Sequence, residues 1–208
     1  MKDQLKQAII DGNEAVALAM TQALLASGAS AREVLDEALL PGMEVVGTRM
    51  REGECFIPEV LLSARVMQAC LDLLRPQMAE GEEAGLPTVV IGTVEGDLHD
   101  IGKNLVSMLL QGAGFTVVNL GTGVSPAAFV AAVREHQARI VGMSALLTTT
   151  LPQMSATIAA LKEAGLRDSV KVMVGGAPVT AAYAEEIGAD GYGANAGMAV
   201  ERAKELVG

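Results

Sequence analysis

The chain has 208 residues, 50% of them hydrophobic and 19% charged, with 25 acidic against 15 basic side chains for a formal net charge of -10. A chain of this length and apolar content buries a core sufficient for one ordinary domain and a smaller one, and it lacks the basic, aromatic-laced stripe of a nucleic-acid binder. No stretch offers the eighteen apolar residues of a membrane span, and Met1 to Gln7 lead into an amphipathic helix rather than an apolar leader, so a cytoplasmic protein is expected.

Up to about Gln77 the pattern is purely helical, broken by turn residues at Asp11-Gly12-Asn13, Gly28-Ala29-Ser30 and Glu52-Gly53-Glu54, which predicts four helices packed as a short bundle. Ser30 and Glu33 have capping-box spacing, and Pro58 suits the first turn of the helix that follows. Cys55 and Cys70 lack any zinc-ligand partner pattern and read as packing residues, as do the eleven methionines that replace aromatic bulk in a chain with three phenylalanines, two tyrosines and no tryptophan. The acidic, glycine-containing segment 79–87, closed by Pro87, reads as a linker and places a boundary between domains 1–84 and 85–208.

Beyond it, strand-like runs at 88–94, 115–120, 139–144, 170–175 and 189–193 alternate with helical patterns near 101–112, 126–137, 151–164, 180–187 and 196–207. That alternation predicts an α/β domain with a five-stranded, parallel, doubly wound sheet, Rossmann-like or flavodoxin-like. Ser125-Pro126 supplies a helix start, and Gly112, Gly114 and Gly165 lie where helices should stop.

In such a sheet, ligands bind beyond the carboxyl ends of the strands, where the segment Gly96-Asp97-Leu98-His99-Asp100-Ile101-Gly102-Lys103-Asn104 falls. A phosphate loop does not fit: five residues rather than four separate Gly96 from Gly102, and Asn104 rather than a hydroxyl residue follows Lys103. Gly121-Thr122-Gly123 is too short for a dinucleotide fingerprint. A helix cap would explain Asp97 and His99 taken alone. As a functional pair, Asp97 would accept the imidazole Nδ1 proton and leave Nε2 for a metal. One histidine cannot build a protein-only metal site, so that metal would have to arrive in a macrocycle, with His99 in one axial position. Ser144, Leu146, the threonines 148 to 150 and Gly175-Gly176 also fall at carboxyl ends, on the same edge as His99.

Together these residues form D-x-H-x-x-G (Asp97, His99, Gly102), S-x-L after 41 intervening residues (Ser144, Leu146) and G-G after a further 28 (Gly175, Gly176). The compound pattern resembles that of cobalamin-binding domains. With the bundle upstream, the resemblance extends over nearly the whole chain to the methyl-carrying corrinoid proteins of cobalamin-dependent methyltransferase systems and to the matching module of methionine synthase.

The resemblance implies a base-off cobalamin or related corrinoid, in its methylcobalamin form during turnover, with His99 as lower axial ligand of the cobalt and Asp97 and Thr150 adjusting that ligand. Gly96, Leu98, Asp100, Ile101 and Gly102 would contact the cofactor from the same loop. Ser144 and Thr148 would contact the buried nucleotide tail, flanked by Gly175 and Gly176, and Leu146 would also touch the cofactor. The segment Cys55 to Val60 resembles a stretch that caps the upper face, making Met50, Ile57 and Val60 cap candidates, although Met50 stands where methionine synthase would carry an aromatic. The implied function is a methyl carrier cycling between cobalt(I) and methyl-cobalt(III), with the linker as hinge. The implied partners are a substrate-specific methyltransferase, a second methyltransferase delivering to tetrahydrofolate or coenzyme M, and a reductive activator. A cobalamin-sensing regulatory module is the alternative; it would need an output domain, and none is legible before the bundle.

Overall fold

The computed structural model describes residues 1–78 and 86–208; most of the expected linker, 79–85, lies outside them. The chain divides into two compact units, Met1–Leu86 with Met108–Phe115, and Pro87–Ser107 with Thr116–Gly208.

The first unit is built from helices α1 (Lys2–Ile10), α2 (Glu14–Ala26), α3 (Ala31–Val34), α4 (Leu40–Glu52) and α5 (Ile57–Leu74). α3 and α4 are one rod interrupted by a widened π-helical turn at Leu35–Leu39. Pro41, in the first turn of α4, has no amide proton for the ordinary bond back to Glu37, and the wider turn accommodates that loss. The four expected helical rods are therefore present. Ser30 Oγ accepts the Glu33 amide at 3.1 Å, as the capping spacing requires, while the Glu33 carboxylate takes Lys2 as its main partner. Leu5, Ile9, Leu35, Leu39, Met67 and Leu71 form the buried interior of this unit. Cys70 is fully buried, which agrees with packing, and Cys55 Sγ approaches the Val46 carbonyl oxygen at 3.6 Å.

The second unit holds a five-stranded parallel sheet in the order β2-β1-β3-β4-β5, formed by β1 (Leu86–Thr93), β2 (Phe115–Asn119), β3 (Ile140–Ser144), β4 (Lys171–Gly175) and β5 (Gly191–Gly193). The connecting helices are α6 (Ile101–Gly112), α7 (Pro126–His136), α8 (Pro152–Glu163) and α9 (Ala181–Glu186), and α10 (Ala196–Val207) follows β5. Leu86 and Pro87, expected in the linker, instead open β1, where the Leu86 amide donates to the Gly114 carbonyl at 2.8 Å. A proline is tolerated at a strand's start because the ladder has barely begun. Val90, Val141, Val172 and Val174 pack on Phe129 of α7 and Met154 and Leu161 of α8. α6 stops at Gly112, as its pattern predicts, and Gly114 follows at φ +97; Gly112 is also a close approach, since an added Cβ there would lie 2.3 Å from that of Ala64.

The order 2-1-3-4-5 reverses direction at β1, so the crevice between the carboxyl ends of β1 and β3 is the topological switch point where α/β sheets bind ligands. The register puts Thr93 opposite Ser144, Ser144 opposite Gly175, and Gly175 opposite Gly193. The motif residues Ser144 and Gly175, far apart in sequence, thus stand side by side in one row with Thr93 and Gly193.

Candidate corrinoid site

The loop leaving β1 turns at once. The Asp97 amide donates to the Val94 carbonyl at 3.1 Å, with Gly96 at φ +81, the left-handed third residue that such a turn favours. The turn delivers Asp97 across the switch point to the loop after β3. Its Oδ2 accepts the amides of Leu146 (2.7 Å) and Leu147 (3.1 Å) and stands 3.0 Å from the Thr150 hydroxyl. Thr150 Oγ1 also lies 2.9 Å from the Leu147 carbonyl, so its single proton has two acceptors. Asp97 Oδ1 accepts the His99 amide at 3.1 Å and faces His99 Nδ1 at 2.8 Å.

Asp97 is fully buried, yet its carboxyl is held well below the usual carboxylate range. Burial alone would push it up; the amides of Leu146, His99 and Leu147 and the imidazole overcome that by bonding to the charged form. A permanent carboxylate at Nδ1 keeps the proton there, so Nε2 carries the lone pair. The His99 side chain is 51% exposed. One ring nitrogen is clamped and the other is free toward solvent.

The neighbouring acid faces the start of α6 instead. Asp100 precedes α6; its carbonyl accepts the Asn104 amide at 2.7 Å and its Oδ2 accepts Asn104 Nδ2 at 2.9 Å. Around His99, Leu98 (76%), Ile101 (87%), Leu146 and Leu147 expose apolar side chains beside exposed Gly102. Such a cluster at a binding crevice favours a large apolar face. Thr148 is exposed and Ser144 half-buried at the end of β3. Gly176 has φ +128, and a Cβ there would stand 1.9 Å from the Ala145 carbonyl oxygen, so its want of a side chain is first required by the protein's own backbone. Of the cap candidates, Ile57 is 40% exposed and Met50 partly exposed, but Val60 is 5% exposed and belongs to the core of the helical unit.

Sequence reasoning missed Thr93, whose buried hydroxyl donates to the His99 carbonyl at 2.8 Å, and the amides of Leu146 and Leu147. Backbone donors leave no mark in residue identity; the last place in a strand aimed at the crevice could have pointed to Thr93.

The residues fit a corrinoid. They offer one nitrogen ligand, no group of three metal-ligating side chains among those described, and an apolar, glycine-edged surround. Among the described residues no helix is long and apolar enough to cross a membrane.

Comparison with known proteins agrees. A B12 binding domain model matches residues 87–201, and a second B12 binding domain model matches residues 1–75. A corrinoid protein of Desulfitobacterium hafniense (strain Y51) is 45% identical over 211 aligned positions, covering 99% of this chain and 97% of that protein. The dimethylamine corrinoid protein of Methanosarcina barkeri is 48% identical over 176 positions, covering 84% and 83%. Among solved structures, a cobalamin-binding protein from D. hafniense DCB-2 superposes with TM-score 0.77 at 34% identity, covering 100% of this chain and 99% of that one. The methanol:cobalamin methyltransferase complex of M. barkeri gives TM-score 0.85 at 31% identity, covering 98% and 78%. With its buried Asp97, clamped His99 and both halves matched, the chain belongs to the B12-binding corrinoid proteins of methyltransferase systems.

Proposed function

We propose that this protein is a corrinoid-bound methyl carrier, taking a methyl group from a donor activated on a substrate-specific methyltransferase and passing it to a second one that serves tetrahydrofolate or coenzyme M. A reductive activator would restore cofactor lost to oxidation. The observation that carries this reading is the five-donor carboxylate of Asp97, which orients a half-exposed imidazole with its second nitrogen free. When bound, the corrinoid supplies a cobalt that both accepts and gives up the methyl group.

His99 would be the lower ligand, with Asp97 and Thr150 setting how strongly its Nε2 donates. The Leu146 and Leu147 amides hold the Asp97 carboxylate independently of His99, so it would keep those partners whether or not the imidazole holds the cobalt. Leu98, Ile101 and Leu146 would cover the lower apolar face, and Gly96, Asp100 and Gly102 shape the loop beneath it. Ser144, Thr148, Gly175 and Gly176 would border the nucleotide tail. Residues 85–208 would form the corrinoid domain and residues 1–84 the cap, with Met50 and Ile57 as its contacts.

The relatives named for dimethylamine and the methanol:cobalamin methyltransferase complex support methylamines or methanol as donor classes. The test is anaerobic reconstitution with cobalamin, reduction, addition of methyl iodide, and then addition of an acceptor methyltransferase with coenzyme M or tetrahydrofolate. The optical spectrum should show methylation and its reversal; a bound corrinoid that never demethylates under either acceptor overturns the carrier reading. A paired measurement tests the ligand: His99→Gly should keep the corrinoid while its cobalt(II) EPR spectrum loses nitrogen hyperfine splitting.

A further inference from the structure

The loop bearing His99 is held from two sides, and Asp97 accounts for only one of them. On the other side stands Lys103, in the first turn of α6 and 3% exposed. Its Nζ donates to Asn104 Oδ1 at 2.6 Å and to Asn119 Oδ1 at 2.7 Å, both of them neutral amides. Burial pulls its pKa below the ordinary lysine value, with Asp100 opposing that as the nearby negative charge. Burying a charge is costly unless it is well bonded, and the bonds given to this ammonium come from neutral amide oxygens. A buried cation without a carboxylate bonded to it points to a task beyond packing.

The partners lock one another. Asn119 Nδ2 donates to Asn104 Oδ1 at 3.0 Å, Asn104 Nδ2 donates to Asp100 Oδ2 at 2.9 Å, and Asn119 Oδ1 also accepts the Gly121 amide at 3.0 Å. The ammonium turns both amide oxygens inward, and this fixes the Asn104 donor that reaches Asp100. Asp100 directly follows His99. The same cluster steadies the loop after β2, from which the Gly123 amide donates to the Asp97 carbonyl at 3.0 Å.

We infer that Lys103 is a positioning residue for the cobalt ligand: through Asn104 and Asp100, and through Asn119 and its loop, it fixes the backbone from which His99 projects. The inference rests on the proposed role of His99 but uses none of the side-chain bonds of Asp97. It treats the two halves of the loop as separately held, so loosening the Lys103 half leaves the Asp97 clamp in place and misdirects the ring.

The test compares the full chain, reconstituted with cobalamin and held as cobalt(II), with Lys103→Met and Asn119→Ala. EPR reads the ratio of nitrogen-ligated to nitrogen-free cobalt, and a thermal scan of the apoprotein reads the fold. Lys103→Met should still fold and retain corrinoid, yet lower the ligated ratio, by less than the about 10- to 100-fold that loss of a partner bonded directly to a metal ligand costs. Asn119→Ala, at an exposed position, should shift the ratio the same way by a smaller factor. An unchanged ratio in Lys103→Met overturns the inference while leaving His99 as ligand, and if Lys103→Met does not fold, an unchanged ratio in Asn119→Ala does the same. Absence of nitrogen splitting in the unmodified protein overturns the His99 reading and, with it, this one.

Discussion

A Cβ on Gly176 would stand 1.9 Å from the carbonyl oxygen of Ala145, so the loops after β4 and β3 meet backbone to backbone. The second glycine of the G-G pair therefore holds the protein's own edge together before any ligand arrives. Gly176→Ala must move that contact and adopt φ +128, a conformation that side chains disfavour. It should lose more than about 1 kcal/mol in urea unfolding. Gly28→Ala, with φ +92 but nothing near its Cβ, serves as the comparison and should lose less.

Removing the charge at Asp97 leaves buried donors short of an acceptor. Asp97→Asn should be destabilised by about 1–3 kcal/mol near neutral pH. The pH dependence has a definite sign: a carboxyl whose folded pKa is depressed stabilises above its unfolded value, about 3.9, and that stabilisation fades as pH falls below it. The gap between the two proteins in denaturant unfolding should stay level from about pH 8 to about pH 5 and narrow below about pH 4. A gap that widens on acidification would contradict the assignment.

At Thr150 the hydroxyl and the methyl group separate cleanly. Thr150→Ser keeps the donor to Asp97 and should keep the nitrogen-ligated share of cobalt(II), whereas Thr150→Ala should lower it and cost about 1–2 kcal/mol of stability. Equal EPR spectra for the two variants would limit Thr150 to packing.

Ile101 is 87% exposed, so the fold gains little from it. Ile101→Asp should change unfolding free energy by no more than about 0.5 kcal/mol, yet weaken corrinoid retention on gel filtration by placing a charge against an apolar face. Undiminished retention would remove Ile101 from the cofactor surface.

The sequence by itself determined the order and kind of the elements, because hydrophobic period and turn chemistry are local: α10 begins and ends where its pattern does, and β3 within one residue. It also marked Asp97, His99, Thr150 and the glycine pair, whose types carry a chemical meaning. The tertiary structure decided what those residues do to one another. The sheet order sets the β1 loop beside the β3 loop, and only then do the Leu146 and Leu147 amides reach Asp97. It tied Asp100 to Asn104 at the start of α6, placed Val60 in the core, drew Leu86 and Pro87 into β1, and buried Lys103 among amides. Every residue has the same backbone amide, and burial depends on neighbours far along the chain, so neither can be read one position at a time.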